Sequence, residues 1–314
     1  MPWIWCTPKK ARAVNYCFLF GDLNAEPLFV EKFMKKMLNQ ESQHKARKRF
    51  GQNFLIDHGI IRDIVSSIHP QRDDQIVEIG PGKGAITQLL ADSCDNISVI
   101  ELDRDLVPWL KVKFERHANF QLFQADALQF DFAQLIKAEQ PIRIVGNLPY
   151  NISTPLIFHL LTYSTQVRDM HFMLQKEVVK RMAAQAGDSA YGRLGIMVQY
   201  YCSVENLFEV PPTAFDPAPK VDSAIVRLIP HKTLPFVANN IKTLEVLVNV
   251  AFQQRRKTIR NSLKQLLTLE QLESLPIDLS LRPEQISLRE YVEISNLLGD
   301  LTLPGAGAAP VLND

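Results

Sequence analysis

Four stretches of this 314-residue chain carry residue types whose order could do chemistry. In Glu78-Ile79-Gly80-Pro81-Gly82-Lys83-Gly84 an apolar run enters closely spaced glycines before a helix-like pattern. Glycine takes positive φ and lets the backbone approach a ligand, while the following helix N-terminus favours negative groups. A nucleotide-like ligand would use such a turn; a dehydrogenase cofactor would too, and a plain tight turn is the structural alternative. The next apolar run ends at Glu101-Leu102-Asp103, and the one after at Ala125-Asp126-Ala127. An acid about 20 positions beyond the glycines, here Glu101, can accept both ribose hydroxyls of an adenosine moiety and disfavours a phosphorylated ribose. Asp126 could accept a hydrogen bond from an adenine amino group. Either acid alone could be a helix cap or a solvated charge. Suitable residues at three successive strand ends favour a ligand.

Gly146-Asn147-Leu148-Pro149-Tyr150 follows the fourth apolar run. Asn147 offers an amide oxygen, Pro149 stiffens the loop so that the Leu148 carbonyl can face the same way, and Tyr150 offers a stacking surface. Two acceptors can hold both hydrogens of an exocyclic amino group while the aromatic ring lies on the base. An Asn-X-Pro-Tyr turn can also be merely structural. After the glycine turn and two acids, catalysis is the better reading.

With Glu78 to Gly84, Asn147-Leu148-Pro149-Tyr150 resembles the ribosomal RNA adenine N6-methyltransferases. The resemblance runs over roughly residues 44 to 300. It also takes in Arg47-Lys48-Arg49-Phe50-Gly51-Gln52-Asn53-Phe54-Leu55, Leu174 to Glu177, Phe215 to Ser223 and Phe252 to Asn261. It implies S-adenosylmethionine as cofactor, with Asn53 and Leu55 closing over it and Gly80 against its methionine portion. Glu101 would hold the ribose, Asp126 the adenine, and Asn147 would stand between cofactor and substrate. Phe215 would face the target base opposite Tyr150. The implied reaction is dimethylation of two adjacent adenosines near the 3′ end of small-subunit (16S) ribosomal RNA, in a pre-30S particle, by a cytoplasmic monomer. RNA contacts are expected from Lys45, Arg47, Lys48 and Arg49 before the sheet and from Arg255, Arg256, Lys257 and Arg260 near the carboxyl end; a solvated face is the plain alternative.

Rival readings keep the same core. A DNA adenine methyltransferase more usually has a second proline where Leu148 stands. A large-subunit RNA methyltransferase shares the core, but the basic run Arg255 to Arg260 favours the small-subunit type. An assembly factor that chiefly binds the pre-30S particle is the non-enzymatic reading.

The elements that must position these residues are those of an α/β chain. Residues 76–79, 97–100, 120–123 and 142–145 read as strands separated by helical stretches, Met170 to Leu174 as a fifth, with two more near Gln199 to Val204 and Ser223 to Leu228. Strands alternating with helices imply a largely parallel sheet with right-handed crossovers. The expected fold is a Rossmann-like class I methyltransferase sheet with helices on both faces, over residues 44–230. Helical periods after Pro230 make 231–303 a small α-helical RNA-binding domain. Residues 304–314 read as a flexible tail, and 1–43 as an extension that the resemblance does not cover, with Met34 or Met37 as candidate starts. A content of 46% hydrophobic residues suits a globular core, and net charge +1 requires that any nucleic acid be met by local basic patches. The apolar runs are too short for a membrane span. Cys6, Cys17, Cys94 and Cys202 form no CxxC pair, against a zinc site or a disulfide framework. No metal is expected.

Overall fold

The computed structural model describes residues 46–47, 51–137 and 140–299. The expectations for the amino-terminal extension, the tail, Lys45, Lys48 and Arg49 lie outside them. Five strands form the parallel part of the sheet: β2 (Gln75–Ile79), β3 (Asn96–Glu101), β4 (Phe120–Gln124), β5 (Ile142–Asn147) and β6 (Val167–Gln175). With β7 (Cys202–Val210) and β9 (Ser223–Pro230) the order is β4-β3-β2-β5-β6-β9-β7, where β9 runs antiparallel to β6 and β7 antiparallel to β9. A two-residue strand β1 (Phe54–Leu55) pairs separately with β8 (Phe215–Asp216). From β2 the chain winds outward through β3 and β4, then returns to place β5 on the other side of β2. That reversal opens a crevice at the carboxyl ends of β2 and β5, where open α/β sheets bind ligands.

Both sheet faces are covered, so the strands read as apolar runs rather than strict alternations. The alternation survives as a division of labour. Val77, Ile79, Ile144 and Phe172 pack in one cluster with α4 (Ser153–Leu161), α5 (Lys176–Ala183) and α6 (Arg193–Tyr201). Ile76, Val145 and Met173 pack in another with α1 (His58–Ile68), α2 (Ala85–Ser93) and α3 (Val107–Lys113). The expected strand near Gln199 to Val204 is displaced: Gln199 to Tyr201 finish α6, and the strand runs from Cys202 to Val210. Leu194, Ile196, Val198 and Tyr200 are all buried, because α6 is covered by the sheet on one side and by the carboxyl-terminal helices on the other. That two-sided burial gives the end of a helix the apolar density of a strand.

Beyond residue 230 the described residues form no strand. They contain α7 (Ile241–Gln253), α8 (Ile259–Leu263), α9 (Leu269–Glu273) and α10 (Leu288–Leu298). Their core joins Leu244, Leu247, Ile259 and Tyr291 to Tyr191, Ile196 and Met197, so it extends across the expected boundary at residue 230.

At the amino end of the sheet Arg143 is 3% exposed. It donates to Asp169 Oδ1 and Oδ2 at 2.8 and 2.9 Å, to Asp74 Oδ2 at 2.6 Å and to the Ile68 carbonyl at 2.6 Å. This ties β5, β6, the approach to β2 and the end of α1 together.

Candidate active site

The cleft at the carboxyl ends of β2, β3, β4 and β5 is walled by residues from all four stretches singled out in the sequence. Its floor begins at the glycine turn, with φ of +68° at Gly80, +56° at Gly82 and +70° at Gly84, a region in which a side chain is strained. Gly146 is required for a different reason. It sits opposite Ile79 in the parallel ladder, where an added Cβ would stand 2.6 Å from the Ile79 carbonyl oxygen.

Three carboxylates face this cleft. Glu101, 6% exposed, accepts from the Asp103 amide at 2.7 Å and the Gly82 amide at 3.4 Å, which ties the glycine turn to the end of β3. Burial pushes its pKa up to about 7 against the opposing pull of these amides. Asp126 is half-buried and accepts from the Leu128 amide at 3.0 Å, as a cap would. Glu78 is 2% exposed and, among the described residues, its Oε2 has no hydrogen-bond partner; burial raises its pKa to about 7 against the opposing pull of the Thr87 side chain. An unpartnered buried acceptor on a ligand-sized cleft awaits a donor or a cation. Acids of this kind suit a ligand that is positively charged and rich in hydroxyl and amino donors, as S-adenosylmethionine is.

Asn147 closes β5, and its Nδ2 donates to the Asn53 carbonyl at 3.1 Å. That hydrogen bond engages the amide nitrogen and leaves Oδ1 as an acceptor. Leu148 is buried, with its amide on the Met173 carbonyl at 3.2 Å, and a turn from Pro149 O to Ile152 N closes the loop. Tyr150 is half-buried; its hydroxyl shares a 2.8 Å hydrogen bond with Ser223 Oγ, and burial raises its pKa. The ring is thereby held at the cleft wall.

Asn53 and Leu55 line the same cleft, carried by a segment strapped across it. Arg47 donates to Asp103 Oδ1 at 3.0 Å and also pairs with Asp105, while Gln52 donates to Asp103 Oδ2 at 3.0 Å. Arg47 was expected on RNA; the structure engages it between two carboxylates to hold this strap. Arg255, which is exposed, donates to the carbonyls of Ser189 and Tyr191 at 2.8 and 3.1 Å. Arg256 and Lys257 are exposed, and Arg260 lies 4.0 Å from Glu273. Phe215 is 4% exposed, paired with Leu55 across β1 and β8, and packs in the core shared with Phe54 rather than among the cleft-lining residues. As it stands it supports the strap, and Tyr150 is the aromatic ring of the loop that the cleft presents.

Sequence reasoning passed over Glu78, Lys83, Gln52 and Asp103. Glu78 and Lys83 stood within the quoted glycine motif, and an acid inside an otherwise apolar strand was the available signal. The task of Asp103 carried no local signal, because its partners are 51 and 56 positions away.

The chain matches the family described as ribosomal RNA adenine dimethylase over residues 43–300. It is 62% identical over 255 residues to Ribosomal RNA small subunit methyltransferase A of Saccharophagus degradans, covering 81% of this chain and 95% of that one. To the protein of the same name from Marinobacter nauticus it is 59% identical over 263 residues, with 84% and 95% covered. Among solved structures it is similar to a dimethyladenosine transferase from Plasmodium falciparum, with TM-score 0.65, 26% identity and coverage of 77% and 95%. The 23S rRNA methyltransferase ErmE, at TM-score 0.62 and 24% identity over 78% of this chain and 99% of that one, shares the fold.

Proposed function

Because this chain belongs to the ribosomal RNA adenine dimethylase family, we propose that it transfers methyl groups from S-adenosylmethionine to the N6 amino groups of two adjacent adenosines near the 3′ end of 16S ribosomal RNA. The chain is an enzyme of that family, a methyltransferase. Relatives named for the small subunit, at 55–62% identity, favour this substrate over the large subunit. The observation that supports the chemical reading is Asn147, which lines the cleft beside Leu148-Pro149-Tyr150 and whose amide nitrogen donates to the Asn53 carbonyl, leaving Oδ1 as an acceptor.

When bound, the cofactor supplies an already activated sulfonium methyl group. The chain's own residues do the rest. Glu101 takes the ribose hydroxyls, Asp126 the adenine amino group, Gly80 the methionine portion, and Asn53 and Leu55 cover the cofactor. A target adenine that has left its stack lies on Tyr150. Its N6 is a poor nucleophile because the lone pair is delocalised into the ring. Asn147 Oδ1 and the Leu148 carbonyl accept its two hydrogens, which favours a pyramidal nitrogen and stabilises the positive charge developing there. Pro149 fixes the loop, and alignment with exclusion of water provides much of the acceleration. The methylated nitrogen then loses its proton to solvent without a dedicated base. Arg256, Lys257 and Arg260 contact RNA phosphates in a pre-30S particle, through a helical unit assigned to residues 231–303 beside a catalytic unit of 44–230. The chain acts as a cytoplasmic monomer; among the described residues no helix is long and apolar enough to cross a membrane.

Mapping methylated adenines in ribosomal RNA from cells with and without the gene tests this. Loss of dimethylation at two adjacent 16S adenosines, restored by the wild-type gene, is expected. Loss confined to 23S RNA would assign the large-subunit substrate. Unchanged methylation together with a subunit-assembly defect would assign the binding role.

A further inference from the structure

Against the three carboxylates of Glu78, Glu101 and Asp126, Lys83 is the one cationic side chain that the described residues place on the cleft wall. It sits inside the glycine turn, between Gly82 and Gly84, and its Nζ stands 5.0 Å over the ring of Phe54. Phe54 belongs to the strap over the cleft and presses on the same turn: a Cβ on Gly82 would lie 3.1 Å from its ring. The backbone beneath Lys83 is fixed as well, since its carbonyl accepts from Lys113 Nζ at 2.9 Å. A lysine held between a rigid turn and an aromatic face has lost much of the freedom that makes surface lysines weak binders.

The charges of the wall can be set against those of the ligand. S-adenosylmethionine has two positive groups, the sulfonium and the α-ammonium, and one negative group, the α-carboxylate at the end of its amino-acid arm. Glu101 and Asp126 are taken by the adenosine end. Glu78, with its unpartnered Oε2 on the same wall, is an acceptor for the positive groups. The α-carboxylate must find a donor near the glycine turn, and the wall supplies one ammonium there. On the cofactor reading given above, we propose that Lys83 is a specificity-determining residue that reads the α-carboxylate of the cofactor's amino-acid arm. It thereby favours the intact amino acid over analogues that keep the adenosyl sulfonium and lack the carboxylate.

Calorimetry on the full chain with S-adenosylmethionine and with its decarboxylated analogue measures this directly, without turnover. The informative quantity is the ratio of the two dissociation constants, compared between wild type, Lys83→Met, which keeps the apolar stem over Phe54, and Lys83→Arg. One charge-assisted hydrogen bond corresponds to about tenfold or more in affinity. Lys83→Met should therefore weaken binding of the intact cofactor by about tenfold, leave the decarboxylated analogue nearly unaffected and collapse the ratio by about tenfold, while Lys83→Arg restores most of it. Thermal melting of the ligand-free variants should match wild type. A ratio unchanged in Lys83→Met would overturn the assignment, and a selective loss of RNA affinity with the ratio intact would give Lys83 to the RNA instead. Wild-type protein that binds neither compound would overturn the cofactor reading itself, an outcome distinct from failure of the Lys83 assignment.

Discussion

The two ends of the sheet hold acidic residues in opposite circumstances. At the amino end Asp74 and Asp169 are buried, and each is answered: Arg143 forks onto both, and Arg168 adds a 3.0 Å contact to Asp74. At the carboxyl end Glu78 and Glu101 are as deeply buried, yet among the described residues Glu78 keeps an oxygen without a hydrogen-bond partner and Glu101 is met by backbone amides rather than by an ion pair. Burial therefore raises both glutamates to about 7. At the other end the burial of charge is matched locally, by Arg143 and Arg168. One end of the sheet holds the fold together, and the other keeps its acceptors for a ligand.

The largest way to break this contrast is to remove the cation at the satisfied end. Arg143→Met leaves Asp74 and Asp169 buried with little to answer them and should cost about 3 to 5 kcal/mol of stability. Chemical denaturation should show this, while cofactor affinity measured well below the melting range stays near wild type. A loss below about 1 kcal/mol would mean that the network is dispensable.

The reverse experiment is made at the other end. Asn147→Ala should leave the melting temperature and cofactor affinity nearly unchanged and slow single-turnover methyl transfer by about 10² to 10³, the scale of removing one oxyanion-hole donor. A rate within about tenfold of wild type on a pre-30S substrate would rule out the assigned role.

Glu101→Ala should weaken the cofactor by about 1.5 to 3 kcal/mol through lost hydrogen bonds to a charged acceptor, read by calorimetry. The raised acids also give a pH signature. Ligand-free protein favours the protonated carboxyls of Glu78 and Glu101, so their contribution to stability is present below about 4.5 and is lost as pH rises through about 7. A cationic ligand favours the ionised forms and recovers that loss. The cofactor-induced rise in melting temperature should accordingly be larger at pH 8 than at pH 6, and Glu101→Ala should flatten the difference. An equal rise at both pH values would show that neither acid changes its protonation on binding.

The smallest effect belongs far from either sheet end. Neutralising exposed Arg256 and Lys257 together should lower the salt dependence of RNA affinity by roughly two phosphate contacts, with cofactor binding unchanged. Adding Arg255→Ala should instead lower stability, since that side chain holds the carbonyls of Ser189 and Tyr191.

The central strands were legible in the sequence because a sheet covered on both faces writes itself as short apolar runs, and because glycines, acids and Asn147-Leu148-Pro149-Tyr150 fall where those runs end. Local backbone demands, such as positive φ at Gly80, Gly82 and Gly84, leave a residue-type signature that needs no tertiary information. What the tertiary structure decided is which polar groups meet. Arg143 finds partners 26 and 69 positions away, and Arg47 meets Asp103, 56 positions on. Phe215 packs in the core with Phe54 and Leu55, which lie far earlier in the chain and reach it only through strand pairing. Glu78 looked like one residue of an apolar strand until the fold buried its carboxylate beside a cleft and gave one oxygen no partner. A residue's type fixes how many hydrogen bonds and charges it can offer, but whether those are already answered depends on neighbours that only chain folding brings within 3 Å.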